Sequence, residues 1–276
     1  MTSYGTFDFF NVSIPVEFVA VVETNRPKKL NAFNEATHTE FYKIITKLDK
    51  DPNVRVIVLT GTGDKAFSAG LDISDAGLLV GMQNGDSSRL AYAKYKHIKE
   101  FQDHIGVLQD INKPVIAVFH GISYGLAVDI GAAADIRICS QDTRFAIREV
   151  MIGLAADIGS LQRVGRIVGN HSWLRDLAYT AREFSAEEAK ANGFVSEVHT
   201  DKQAALAAGL KLASNIAANS PIAVQGTKRM MVHALDHTIK DGLEYIASWN
   251  AFALGEDPVV AIQAVKAKKK ARFSNL

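Results

Sequence analysis

Acidic residues are sparse between Pro114 and Gly159: Asp129, Asp135, Asp142, Glu149 and Asp157. Three of them stand in apolar surroundings. Asp129 sits within Gly125-Leu126-Ala127-Val128-Asp129-Ile130-Gly131, Glu149 follows Phe145-Ala146-Ile147-Arg148, and Asp157 follows Gly153-Leu154-Ala155-Ala156. An apolar setting disfavours the ionised carboxyl, so its pKa rises toward the range where it can give and take protons near neutral pH. General acid–base chemistry is what these three residues suit. Each also has a structural alternative. Asp157 could be the N-cap of a helix that starts at Ile158. Glu149 could pair with Arg148 or Arg144 at a strand end. Asp129 could be a solvated helix residue, although its neighbours disfavour this. Asp135 opens a strand beside Arg137, and an ion pair between the two is expected.

Two glycine-containing stretches could serve the same chemistry. Ala66-Phe67-Ser68-Ala69-Gly70-Leu71-Asp72 and His120-Gly121-Ile122-Ser123-Tyr124-Gly125-Leu126-Ala127 read as paired turns after neighbouring strands. Turns so placed can aim backbone N–H groups at one point and form an oxyanion hole. As a nucleotide motif, Gly61-Thr62-Gly63 is poor: it has neither the full Gly-x-Gly-x-x-Gly pattern nor a P-loop Lys-Ser/Thr. No His-Glu-x-x-His occurs, so a zinc site of that type is not indicated. His233 and His237, four apart on an expected helix, read as surface or packing residues. The single cysteine, Cys139, lies in an apolar run and reads as core.

The elements that must position these residues follow from periodicity. Val16–Val22, Val54–Thr60, Pro114–Phe119 and Ile136–Ser140 read as strands, and Phe145–Glu149 as extended chain. Helical spacing covers Asn34–Lys50, with Phe41, Ile44, Ile45 and Leu48 on one face, and roughly Ser88–Asn112; Tyr124–Ala134 reads as a small-residue helix. Apolar strands alternating with helices predict an α/β arrangement with largely parallel strands. Beyond about Ile158 the segments 158–168, 172–181, 185–192, 202–218, 221–235, 237–254 and 257–269 read as helices, with Phe194–Val198 extended between them. The expected organisation is an α/β core over residues 1–200 and a helical region over 201–276, with no low-complexity linker or internal sequence repeat.

The chain has 276 residues, 47% of them hydrophobic, enough for one sizeable core. Its 31 basic and 30 acidic side chains nearly cancel, so net charge indicates neither a nucleic-acid nor an anionic-membrane surface. One cysteine excludes a disulfide framework. The N-terminal stretch lacks the basic and apolar regions of a secretory signal, and no apolar run is long enough for a transmembrane helix. The sequence ends Ser274-Asn275-Leu276, one substitution from a Ser-Lys-Leu peroxisomal address, just after Lys268, Lys269, Lys270 and Arg272. The plain alternative is a frayed basic tail.

Four segments, in order, resemble the crotonase (enoyl-CoA hydratase/isomerase) superfamily. They are Asn25-Arg26-Pro27-Lys28-Lys29-Leu30-Asn31-Ala32; Val56–Gly61 with Ala66–Asp72; Asn112–Val118 through Asp135-Ile136-Arg137; and Phe145 through Gln162-Arg163. The hydratases of that superfamily carry glutamates at the positions of Asp129 and Glu149 and a glycine at that of Asp157. The trio Asp129, Glu149, Asp157 instead resembles the Δ3,5-Δ2,4-dienoyl-CoA isomerases of fatty-acid β-oxidation. One departure is Gly125-Leu126-Ala127, where the family usually has a glycine cluster. The donor required there is a backbone N–H, which Leu126 can supply while its side chain narrows the acyl pocket.

The resemblance implies a crotonase spiral of ββα turns followed by C-terminal helices that build trimers. It implies isomerisation of 3,5-dienoyl-CoA to 2,4-dienoyl-CoA, with N–H groups of Leu71 and Leu126 holding an oxyanion and Ala69, Gly70, Asp72 and Gly125 against the substrate. Glu149 would serve C2 and Asp157 C6, or the reverse, with Asp129 tuning them. Coenzyme A would arrive as part of the substrate, with no metal or other cofactor. The alternatives are an enoyl-CoA hydratase or Δ3-Δ2-enoyl-CoA isomerase on the same fold and, outside enzymes, a silent CoA-binding scaffold. The expected partners are a second and third copy of the chain (homotrimer or homohexamer) and a peroxisomal import receptor, with no nucleic acid and no membrane insertion. Peroxisomal residence is expected, with mitochondrion and cytoplasm as alternatives.

Overall fold

The computed structural model describes residues 2–75 and 86–276. Among them, seven strands form one sheet in the order β1 (Thr2–Ser3), β2 (Phe10–Val16), β3 (Phe18–Thr24), β4 (Val54–Gly61), β6 (Val115–Phe119), β8 (Ile136–Ser140) and β11 (Glu197–His199). From β3 onward every pairing is parallel, while β1–β2–β3 are antiparallel. The run Val16–Val22, expected as one strand, spans two. The chain reverses at Glu17–Phe18, where Phe18 takes a φ of 64°. Phe10, Val12, Ile14 and Val16 alternate with Asn11, Ser13 and Pro15 along β2, so its signal is a period of two and not an unbroken apolar run.

A second sheet runs in the order β10 (Phe184–Ser185), β9 (Arg144–Ala146), β7 (Ile122–Tyr124), β5 (Ala66–Ser68). Strands of three residues or fewer carry too little periodicity to be read from sequence. The two sheets together display the ββα turn. A long strand enters the first sheet, a short one the second, and a helix follows. The turns are β4–β5–α2 (Ser87–Asp110), β6–β7–α3 (Leu126–Ala133) and β8–β9–α4 (Ser160–Ile167). Tyr124, expected to be helical, belongs to β7.

The first sheet is covered on both faces, which is why β4 is buried throughout and reads as a continuous apolar run. Its side chains alternate between faces. Ile57 and Leu59 join Val115 and Phe119 against Ile44, Ile45 and Leu48 of α1 (Glu35–Lys50) and Ile105 and Leu108 of α2. Val56 and Val58 join Val19, Ile116, Val118 and Ile138 against Ala205, Ala213 and Ala217 of α7 (Lys202–Ala217). Truncating a side chain such as the fully buried Leu48 to alanine costs about 2–5 kcal/mol. α1 starts where it does because Asn34 caps it, its side chain accepting the Thr37 N–H. The remaining α-helices among the described residues are α5 (His171–Thr180), α6 (Ala186–Ala191), α8 (Pro221–His233), α9 (Ile239–Ala253) and α10 (Asp257–Lys266). The expected division at residue 200 falls just before α7, which lies flat on the sheet. α9 and α10 direct apolar side chains outward, Ile239 at 84% and Phe252 at 69% exposure among them.

Two buried cations tie distant segments together. Asp135 pairs with Lys228 of α8 at 2.9 Å and accepts the Val115 N–H at 2.7 Å. The ion pair expected between Asp135 and Arg137 is thereby corrected. Arg137 turns its guanidinium to the carbonyls of Phe194, Gly131 and Ala134. Arg55 of β4 lies over the Phe18 ring at 3.9 Å and donates to the carbonyl of Ala217. Its Nη2 also donates to the carbonyl of Phe273 at 2.7 Å and to Asn275 Oδ1 at 2.8 Å. Cys139 is fully buried.

Candidate active site

The paired turns meet where β5 and β7, parallel neighbours, end. Both turns need glycine. Gly70 has a φ of +95°, and a Cβ there would lie 3.0 Å from the Tyr124 carbonyl oxygen; Gly125 has a φ of +51°. Side chains rarely adopt such angles, and the close backbone approach leaves no room for one. The residues after these glycines are Leu71 and Leu126. Phe33 accepts from Asp72 N–H, and Gly125 N–H donates to the Ala146 carbonyl, at 2.8 Å each. The N–H groups of Leu71 and Leu126 have no partner among the described residues. That of Leu126 is one of the first donors of α3, which the helix itself cannot satisfy.

Leu71 and Leu126 both line a cavity of about 220 Å³. Every residue expected at the site lines it: Ala69, Gly70, Leu71 and Asp72 from one turn, Gly125, Leu126 and Asp129 from the other, and Glu149 and Asp157 from beyond β9. The Asp72 carboxylate is already engaged, by Arg26 at 3.0 Å and by Ser74 Oγ at 2.5 Å, so it shapes the turn from within.

The three acids differ in setting. Asp129, on α3, is only 1% exposed and accepts the Ser160 N–H at 2.6 Å. Burial, and next the nearby Glu149 charge, push its pKa up to about 7. Glu149 opens a 3-10 turn, Glu149–Ile152, where an extended continuation of β9 was expected. Its Oε2 is buried without a partner among the described residues. Burial raises its pKa, and the Asp157 charge adds to that. The pairing of Glu149 with Arg148 or Arg144 does not form, because both arginines turn to Glu183, at 2.8 and 3.6 Å. Tyr124 Oη donates to the same glutamate, so the residue before Glu149 is anchored from the other side. Asp157 is half-buried, and burial raises its pKa, partly offset by His97. It does not cap α4. The N-cap is Gly159, without a side-chain bond, and the carboxylate at that helix end is Asp129.

Sequence reasoning missed other residues of the pocket. His38 and His97 line it beside Ile98 and Phe101. Gln102, one helical turn on, donates to the Asp157 carbonyl at 2.6 Å. His38 comes from α1; the others share only an i, i+4, i+5 spacing on α2, His97, Phe101 and Gln102, which any amphipathic helix offers.

Two acids of raised pKa beside two unpartnered N–H donors can remove a proton next to a carbonyl, hold the resulting oxyanion, and return a proton elsewhere. Known proteins point the same way. Residues 16–269 match the family described as enoyl-CoA hydratase/isomerase. The chain is 38% identical to a human protein named mitochondrial Δ(3,5)-Δ(2,4)-dienoyl-CoA isomerase, over 98% of this chain and 84% of that one. It is 36% identical to a protein from Arabidopsis thaliana named peroxisomal Δ(3,5)-Δ(2,4)-dienoyl-CoA isomerase, over 100% and 99%. An enoyl-CoA hydratase from Bacillus anthracis has the same fold, with a TM-score of 0.86 at 25% identity, over 97% of this chain and 99% of that one. With the two-sheet ββα architecture, the paired turns and a match along nearly its whole length, the chain belongs to the enoyl-CoA hydratase/isomerase family.

Proposed function

We propose that the chain isomerises 3,5-dienoyl-CoA to 2,4-dienoyl-CoA. The observation that carries this reading is Asp157, a second proton-exchanging carboxyl in the cavity that holds Glu149 and the two free N–H groups. The thioester oxygen lies between the Leu71 and Leu126 N–H groups. Glu149 serves C2, because it stands against the oxyanion turn: a Cβ on Gly125 would lie 3.1 Å from its Oε1. Removing the C2 proton spreads charge over the carbonyl oxygen and the diene. Each N–H donor to that oxygen stabilises the dienolate by about 3 kcal/mol. Asp157, on the side nearer His97, gives a proton to C6, leaving double bonds at C2 and C4. Asp129 holds the start of α4 and opposes the charge on Glu149. Coenzyme A is part of the substrate, and the scheme uses no other cofactor.

The test is one assay by ultraviolet absorbance with 3,5-dienoyl-CoA, 2-enoyl-CoA and 3-enoyl-CoA. Conversion of the 3,5-diene should be fastest; equal or faster hydration of the 2-enoyl thioester would overturn the reading.

A trimer-based assembly is part of the proposal, supported by the outward apolar residues of α9 and α10. A monomer by light scattering at micromolar concentration would contradict it. Peroxisomal residence is proposed as well, supported by the name of the Arabidopsis relative and by Ser274-Asn275-Leu276, whereas the human relative is named mitochondrial. A fluorescent protein fused ahead of the chain should be punctate, and diffuse once Leu276 is deleted; a pattern indifferent to Leu276 would remove the tail from the explanation.

A further inference from the structure

The isomerase reading leaves the enzyme in the wrong state after each turnover. Glu149 then holds the proton from C2, and Asp157 lacks the one given to C6. The next turnover needs the opposite. The two acids are placed differently for that recovery. Glu149 lines the substrate cavity but not the cleft behind it, and its Oε2 is sealed from solvent. Asp157 and Ile158 line both spaces. They form the wall between the cavity and an open cleft of about 600 Å³, lined by polar groups such as Lys99, Asp103, Asp110 and Arg163. A polar space of that size holds water. An acyl-CoA in the cavity covers the front of Asp157 and leaves the cleft face open.

The wall is fastened from the cleft side. Gln102 Nε2 donates to the Asp157 carbonyl at 2.6 Å. Arg163 Nη1 donates to the Ile158 carbonyl at 3.1 Å, and its Nε is held by Gln109 Oε1 at 2.9 Å. Resting on the isomerase reading above, we propose that Asp157 takes the proton it delivers to C6 from water in this rear cleft, with Gln102 as the positioning residue that holds the acid in the dividing wall. The proton balance closes: water in the cleft gives one proton to Asp157, Asp157 gives it to C6, and Glu149 releases the C2 proton as product leaves.

A rival route also leaves the cavity. His38 Nδ1 and His104 Nδ1 are 2.8 Å apart, and Glu35 Oε2 lies 3.3 Å from His38 Nε2 and 3.6 Å from His97 Nδ1. This chain leads to a separate groove at His104. The experiment distinguishes the two routes. Purified protein turns over 3,5-dienoyl-CoA in D2O, with product analysed by mass at low conversion, and rapid-mixing kinetics are recorded for wild type, Gln102→Leu and His104→Asn, each checked for folding by circular dichroism. The product of the wild type should carry one solvent deuterium at C6. Gln102→Leu dries the cleft face of Asp157, so its first turnover should stay within about twofold of wild type while later ones slow at least about tenfold, a burst of one product per site. His104→Asn should show no burst. Product that keeps the substrate's own hydrogen at C6 would overturn the proposal whatever the variants do. So would a burst in His104→Asn alone, or a Gln102→Leu that slows first and later turnovers equally. A wild type that turns over only 2-enoyl-CoA would remove the isomerase reading and this proposal with it, whereas a turning-over wild type without label removes the proposal alone.

Discussion

Asp129 offers a test in which stability, not activity, is the readout. Its carboxyl is enclosed by protein, and its pKa is moved from 3.8 to about 7 by burial first and by the Glu149 charge second. That displacement of about three pH units, at about 1.4 kcal/mol per unit, sets a ceiling of about 4 kcal/mol on what ionising Asp129 costs the folded state. The sign follows from a folded pKa above the unfolded one. The contribution of Asp129 is complete below about pH 4, declines as pH rises, and is lost above about pH 7. Asp129→Asn cannot ionise, and its Oδ1 still accepts the Ser160 N–H, although without a charge that bond is weaker by about 1 kcal/mol. At pH 8 the variant should therefore be more stable than wild type by about 2–3 kcal/mol, or about 5–10 °C in Tm at 2–4 °C per kcal/mol for a chain of this size. At pH 5, where the folded carboxyl is protonated and the unfolded one is largely ionised, the gap should shrink to about 1 kcal/mol. Urea unfolding at both pH values measures the difference directly. A gap of the same size at pH 5 and pH 8, or an Asn variant that is the less stable at pH 8, would mean that Asp129 is a comfortable carboxylate and that its burial has been misjudged.

The remaining predictions concern turnover. Glu149→Gln and Asp157→Asn should each lower kcat by at least about a hundredfold, and normal turnover in either would remove that residue from the mechanism. Asp157→Asn should leave the melting temperature almost unchanged, because the carboxyl caps no helix; a large loss would restore a structural role. The pH profile of kcat should be a bell, falling on the acid side as Glu149 gains a proton, at a pH above the ordinary carboxylate range, and on the alkaline side as Asp157 loses one. A rate that keeps rising with pH would show that no protonated acid is needed. Gly125→Ala should cut kcat more than it raises KM, because its Cβ at 3.1 Å from Glu149 Oε1 would displace the base; unchanged kcat would place the base elsewhere.

What the sequence made legible divides along physical lines. Long parallel strands were readable because burial on both faces leaves uninterrupted apolar runs, as in Val54–Thr60. The helix from Asn34 was readable because its cap and apolar stripe agree. The short strands of the second sheet were not, since two or three residues show no period. Asp129, Glu149 and Asp157 stood out as charges in apolar runs, and the structure brings all three to one cavity. Which acid meets the start of α4 could not be read locally: Asp157 is near Ser160 in sequence, yet Asp129, far behind it, receives the N–H. Asp135 misled in the same way. A charge of opposite sign two residues on looked like its partner, but alternate residues of a strand share a face without having to bond, and the buried Lys228 reaches it from α8. Gln102 and the histidines of α2 were hidden because a polar residue facing a cavity and one facing solvent have the same spacing.

The clasp between Arg55 and residues 273–275 bears on the order in which the chain becomes a protein. Synthesis releases β4 long before Phe273 exists, and until then the Arg55 guanidinium, whose pKa burial depresses, lacks its Phe273 and Asn275 acceptors. Neighbouring partners such as the Phe18 ring are already at hand, but these acceptors lie 218 and 220 residues further along. Contacts of such separation are costly to close early. A growing chain therefore leaves Arg55 short of these acceptors until residues 273–275 have been made. A chain cut short before residue 273 leaves a cation part-buried and under-bonded, an opening that proteases and chaperones can find.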